Sequence, residues 1–145
     1  MLQITAETIQ AIIAHGEREK PNEACGYLAA GDGIVISHFP LTNVDHAYDH
    51  FTMDPQEQFA CVKEIRGRGL MVSGVYHSHP ETPARPSAED IRLAFDPTIS
   101  YVIVTLLPNQ ERVRSFRIAK GKVEEEKVIV VPSPSKEKGA ARRIS

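Results

Sequence analysis

The sequence predicts an α/β domain, a mixed β-sheet flanked by helices, and three observations carry that expectation. Helical and strand-like hydrophobic periods alternate along the chain in the order α, β, β, α, β, α, β, β, β. Residues 101–107 are apolar almost throughout, the pattern of a strand covered on both faces. The 145 residues, 41% of them hydrophobic, suffice for one domain that buries roughly 68–70% of its unfolded surface.

The first helix starts near Thr5, whose hydroxyl suits an N-cap. Ile9, Ile12 and Ile13, at i, i+3 and i+4, give it one apolar stripe before Gly16 and Pro21 end it. Strands follow at 25–30 and 34–39, joined by the hairpin sequence Gly31-Asp32-Gly33. Residues 41–53 are polar and irregular and read as a surface connection. Asp54-Pro55-Gln56-Glu57 opens a second helix: Asp54 is a strong N-cap, Pro55 suits the first helical position, and Glu57 stands where a capping-box partner belongs. Phe59, Val62 and Ile65 are its expected buried face, and Gly67 and Gly69 stop it. A strand at 70–76 is bounded by Pro80, and a loop stiffened by Pro80, Pro83 and Pro86 leads to a short helix from Ser87 to about Phe95. After the buried strand, residues 113–118 and 123–131 form a final hairpin across Lys120-Gly121. The domain is expected at 1–131. Residues 132–145, rich in Pro, Ser, Lys, Arg and Gly, are expected to be a disordered tail.

Composition excludes several classes of function. Seventeen Lys and Arg against nineteen Asp and Glu leave a formal net charge of −2, so the chain has no basic footprint for nucleic acid. No apolar run approaches the roughly 18 residues of a membrane span. The N-terminal residues do not form a signal peptide, and a soluble, cytoplasmic protein is expected. Cys25 and Cys61 are too few for a disulfide framework or a four-thiolate zinc site. Each reads as a small buried hydrophobe. Histidine stands out: there are six, four of them between His46 and His79.

The chemistry concentrates in Val75-Tyr76-His77-Ser78-His79-Pro80, followed by Pro86-Ser87-Ala88-Glu89-Asp90. Side chains two apart on a strand share a face, so His77 and His79 present both imidazoles to one side of the sheet at a strand end. If Ser87 caps the next helix, Asp90 falls in its first turn, beside that end. His-x-His alone is an ordinary surface pair, and Ser-x-x-Asp alone an ordinary helix start; together they point to a site. Two neutral imidazoles and one carboxylate match a zinc ion with a fourth position open to water, the pattern of a catalytic zinc. Metal-assisted hydrolysis also needs a general base, and Glu23, which opens the strand-like run Glu23-Ala24-Cys25-Gly26-Tyr27-Leu28, is the acid best placed by context.

Glu23, then His77-Ser78-His79-Pro80, six residues, Ser87, two residues and Asp90, resembles the motif of the JAMM (MPN+) metallopeptidases in its compact prokaryotic form. The spacing agrees throughout, and the resemblance extends over roughly residues 9–106, including Met53-Asp54-Pro55 and Gly74-Val75-Tyr76. Ala29-Ala30-Gly31 departs from the Leu-Gly expected after such a glutamate. The resemblance implies a cytidine-deaminase-like α/β/α sandwich and one zinc per chain, with His77, His79 and Asp90 as its ligands. It implies Glu23 as the acid that activates the zinc-bound water, and Ser87 as the residue that hydrogen-bonds the oxyanion. The implied reaction is hydrolysis of the peptide or isopeptide bond after the C-terminal Gly-Gly of a ubiquitin-like or sulfur-carrier protein. An extended tail without side chains suits a cleft beside a metal. The sequence itself does not give the oligomeric state and is compatible with a homodimer.

Two other readings stand beside this one. A non-catalytic MPN-type scaffold would keep the fold as a protein-binding module. Two histidines and a carboxylate also make the facial triad of a non-haem Fe(II) enzyme, though an oxygenase has no use for Glu23 and Ser87 in these roles. His46 and His50, interleaved with Asp45 and Asp49, suggest a second metal site only if 43–50 is helical, and the segment reads as a loop. The four histidines other than His77 and His79 are expected at the surface.

Overall fold

The structure is a computed structural model and describes residues 1–133. It contains β1 (Leu2–Thr5), α1 (Ala6–Glu19), β2 (Cys25–Gly31), β3 (Ile34–Leu41), α2 (Pro55–Gly67), β4 (Met71–His79), α3 (Ala88–Arg92), β5 (Ser100–Thr105), β6 (Val113–Ala119), β7 (Lys122–Glu126) and β8 (Val128–Val131). The strands form one sheet in the order β7-β6-β5-β4-β2-β3-β1-β8, in which β4 pairs with β2 antiparallel and with β5 parallel. The fold is the mixed α/β sheet the sequence predicts. The tail expected at 132–145 lies beyond the described residues from 134 onward.

Local chemistry accounts for most boundaries. Thr5 caps α1, its hydroxyl accepting the Thr8 N–H. Asp32 and Gly33 both take positive φ, the requirement of the tight turn that joins β2 to β3, and Lys120 and Gly121 repeat it between β6 and β7. Asp54 caps α2 by accepting the Glu57 N–H. Glu57 does not complete the expected capping box; its carboxylate instead takes the backbone N–H and hydroxyl of Thr42. Helix α3 spans one turn rather than running to Phe95.

Other elements differ from expectation for tertiary reasons. Strand β1 carries no legible local pattern; it exists because it pairs in parallel with β8, Leu2 opposite Val128. The single strand expected at 123–131 is two, and only Lys127 separates the partner of β6 from the partner of β1. The two edges of the sheet therefore meet, and the sheet curls round on itself. Glu126 ties the seam by accepting the hydroxyls of Ser100 and Ser115 and pairing with the Met1 amino group. Gly16 does not end α1, which runs on to Glu19. Without a side chain there, the helix passes close to Ser78; a Cβ at Gly16 would lie 3.2 Å from the Ser78 Cβ. Phe59 is exposed, because α2 faces the sheet through Cys61 and Ile65.

Alternation along the strands divides the core. Ile4, Ile12, Leu28, Tyr76, Val102 and Val104 pack around α1 on one face. Cys25, Ala29, Cys61 and Ile65 pack under α2 on the other, and Ala84, Ile103 and Phe116 pack with Ile91 beside α3. His15 is buried, contrary to the surface expectation, with its Nδ1 2.8 Å from the Tyr76 hydroxyl oxygen. Burial lowers its pKa, which suits a neutral ring shared with a phenol. Gly26 makes room for this pair: a Cβ there would lie 2.5 Å from Phe39 O and 2.6 Å from the Tyr76 hydroxyl oxygen. Gly26→Ala is expected to cost about 3 kcal/mol, read as a lower urea midpoint with an unchanged slope.

Candidate metal centre

Strand β4 sets the centre. Tyr76 and Ser78 face α1, which turns His77 and His79 together toward the face bearing α2 and α3. Pro80 follows and the chain leaves the sheet. The loop to α3 is tied back by the Thr105 hydroxyl, which donates to Thr82 C=O at 2.7 Å. His79 Nδ1 lies 2.8 Å from Pro83 C=O and so donates to it, which fixes the tautomer and leaves Nε2 a free lone pair. At the start of α3 the Ser87 hydroxyl accepts the Asp90 N–H, while Asp90 Oδ2 accepts the Ser87 N–H at 2.9 Å. This reciprocal cap aims the Asp90 carboxylate at the strand end.

His77 Nε2 lies 3.1 Å from His79 Nε2 and 3.1 Å from Asp90 Oδ2, and His79 Nε2 lies 3.3 Å from the same oxygen. A tetrahedral cation with bonds of about 2.0–2.1 Å has edges of roughly 3.3 Å, so the three separations suit three edges of one tetrahedron. The donor set, two imidazoles and a carboxylate, is also that of a hydrolytic zinc site. Among the described residues, no other three His, Cys, Asp or Glu side chains converge in this way. Burial opposes ionisation of Asp90, but the His77 ring and the Ser87 N–H beside it favour the charged form and hold the carboxyl well below its usual range.

Glu23 lies two residues before the start of β2, whose Cys25 lies opposite His77. The residue is 4% exposed and its Oε1 has no hydrogen-bond partner. Burial first, then the negative charges of Asp90, Asp49 and Glu89, push its carboxyl from 4.5 up to about 9. A cation among the three donors would oppose that shift and favour the carboxylate. The backbone is held on both sides: Glu23 N–H donates to Ala47 C=O at 2.8 Å, and Ala24 N–H to the Ser78 hydroxyl at 2.8 Å.

The segment expected to be a mere surface connection contributes to the centre. Its Phe51 ring lies 4.8 Å from the His77 ring at 33°. Its Asn43, buried at 5% exposure, reaches the Glu23 carbonyl. Neither role is legible in the sequence, where Asn43 stands in a largely polar loop as an ordinary turn residue. His46 and His50 do not form a second cluster. The two ring nitrogens of His50 pair with Asp49 and Asp45, and Asp45 also accepts the Thr52 hydroxyl. Cys25 is fully buried, and burial pushes its thiol up to about 12, so it stays protonated and unreactive.

A cavity of about 770 Å³ opens beside His77 and Asp90 and extends along Val75 and Val72 to Met71, walled by Tyr27, Phe51 and Tyr101. It leaves one face of β4 uncovered from Met71 as far as His77. No helix among the described residues is long and apolar enough to cross a membrane.

Residues 5–119 match the model of the family described as prokaryotic homologs of the JAB domain. The chain is 37% identical over 134 residues to the CysO-cysteine peptidase of Mycobacterium tuberculosis, a match covering 90% of this chain and 92% of that one. It is 34% identical over 113 residues to the desampylase of Haloferax volcanii, covering 70% and 78%. Among solved structures, the solution structure of a Desulfitobacterium hafniense protein is 45% identical with a TM-score of 0.82, covering 91% of this chain and 94% of that one.

Proposed function

Because the chain belongs to the family of prokaryotic JAB-domain homologues, we propose that it is a zinc-dependent hydrolase. It cleaves the peptide or isopeptide bond after the C-terminal Gly-Gly of a ubiquitin-like or sulfur-carrier protein. The observation that carries the reading is the triangle of His77, His79 and Asp90 donor atoms. Relatives named a CysO-cysteine peptidase and a desampylase support the class of substrate. The unpaired Glu23 carboxyl supports catalysis over a scaffold role, since a buried polar atom without a partner costs stability and a binding module gains nothing from it.

In this mechanism His77, His79 and Asp90 hold the zinc. When bound, zinc supplies Lewis acidity, which polarises the scissile carbonyl and brings the pKa of water down to about 7. Glu23 takes a proton from the attacking water on a carboxyl oxygen and returns it to the departing amine. Ser87 Oγ already accepts the Asp90 N–H, so its own hydroxyl proton remains available to the carbonyl oxygen as negative charge builds there. The uncovered face of β4 offers an extended tail a path to the donors, and glycine lets that tail approach the backbone closely.

A cleavage assay on Gly-Gly fusions tests the reading, with sulfur-carrier–cysteine adducts run beside di-ubiquitin, with and without a chelator. One zinc per chain, cleavage after the second glycine, loss of turnover on chelation and recovery with zinc are expected. Full turnover by protein verified to be metal-free, or O2 consumption dependent on iron, overturns it.

A further inference from the structure

Asn43 occupies the centre of a closed loop. Its amide nitrogen donates to Glu23 C=O at 3.1 Å and to His50 C=O at 3.0 Å, with Ala47 C=O at 3.4 Å. Its Oδ1 accepts the N–H groups of Asp45 and Thr52, each at 3.2 Å. The backbone of Asn43 and its neighbour closes the same loop: His46 N–H donates to Asn43 C=O, and Val44 N–H to Thr52 C=O. One buried amide thus pairs with the main-chain groups of Glu23, His50, Asp45 and Thr52, besides the Ala47 carbonyl that Glu23 N–H already reaches. A residue chosen only to fill a surface turn has no need of such a set.

Two of the consequences fall on the centre. Glu23 N–H reaches Ala47 within this loop while Glu23 C=O reaches Asn43, so the loop grips both polar groups of the Glu23 main chain. The Glu23 carboxyl has no hydrogen bond on Oε1 to hold it, so its direction depends on that grip. The loop also carries Phe51 onto the His77 ring, with Thr52 beside it bonded to Asn43 Oδ1. A single side chain therefore couples the placement of Glu23 to the packing of His77.

We propose that Asn43 is a positioning residue for the reaction, fixing Glu23 through its main chain and His77 through Phe51. This inference rests on the hydrolase reading above for the roles of Glu23 and His77. A displacement of about 1 Å at a reacting group can cost roughly 10²-fold in rate, and that is the scale expected here. Asn43→Asp keeps the shape and the Oδ1 acceptor but replaces both donor hydrogens with a second acceptor facing three carbonyls.

The test uses the full chain. Asn43→Asp is expected to lower kcat by roughly 10- to 100-fold, with KM within about threefold and zinc content per chain unchanged. The acid limb of the kcat–pH profile should move as well, since Glu23 changes its surroundings. In metal-free protein, amide exchange at Glu23 and Ala47 should accelerate, and the ring contact between Phe51 and His77 should weaken in nuclear Overhauser spectra. Should this variant not fold, Asn43→Ser is measured for the same quantities. If kcat per zinc-loaded chain, the pH profile and Glu23 amide exchange all stay at wild-type values while only the melting temperature falls, Asn43 is a structural amide and the proposal is wrong. That outcome is distinct from failure of the hydrolase reading, in which the wild type itself neither binds zinc nor cleaves a Gly-Gly fusion.

Discussion

Glu23→Gln is expected to reduce turnover by roughly 10²- to 10⁴-fold, the usual contribution of a positioned acid–base group, while leaving zinc content at the wild-type level. The same substitution should stabilise the metal-free protein near neutral pH. In the unfolded chain this carboxyl ionises above its ordinary value of 4.5, whereas in the folded, metal-free protein it ionises only near 9. Between those values the folded state holds a proton that the unfolded state has released. Stability of the wild type therefore falls as pH rises from 4.5 toward 9. Glutamine has no charge to desolvate and escapes that loss. The variant should gain about 1–3 kcal/mol at pH 7, or roughly 3–10 °C in melting temperature. The advantage should vanish below pH 4.5 and shrink when zinc is bound, because the cation offsets the desolvation that Glu23 suffers. Thermal melts from pH 4 to 9, with and without zinc, read this directly. A variant that is equally stable or less stable across that range contradicts the account of Glu23 as a buried carboxyl kept for its chemistry.

The same residues show why the centre was more legible than the fold around it. His77 and His79 share a face because strand alternation is local, and Asp90 lies in the first turn of α3 because Ser87 caps it, again within four residues. Geometry of that kind is written in the spacing. The pairing of Leu2 with Val128 joins opposite ends of the described chain, and no period within either four-residue strand reports it. Val123 and Val128 look alike in sequence, yet the first pairs with β6 and the second with β1, and the choice is made by closure of the sheet at Lys127. Gly16 reads as a helix stop until Ser78 is seen against it. Asn43 is the clearest case: an asparagine in a polar loop is expected to favour a turn, and only the folded chain brings Glu23 C=O to its amide.

Asp90→Asn should separate holding the metal from moving the proton. The substitution preserves an oxygen that can accept the Ser87 N–H, so the cap of α3 survives, whereas Asp90→Ala would also cost about 1 kcal/mol of capping. What Asp90→Asn removes is the charge shared by His77 and His79. Supporting groups around a metal typically contribute 10- to 100-fold in affinity, and loss of a ligand should exceed that, so zinc affinity is expected to fall by roughly 10³-fold or more. The wild type should melt higher as zinc is added, by about 2.7 kcal/mol at one hundred times its dissociation constant; Asp90→Asn should show no such rise over the same range. Glu23→Gln should keep the rise in full. The two variants are thus expected to be equally inactive for different reasons, one lacking the metal and one holding it without a base. Calorimetric zinc titration of both distinguishes them. An Asp90→Asn protein that still takes up one zinc per chain with wild-type affinity would remove Asp90 from the ligand set and leave the triangle at the end of β4 without a chemical purpose.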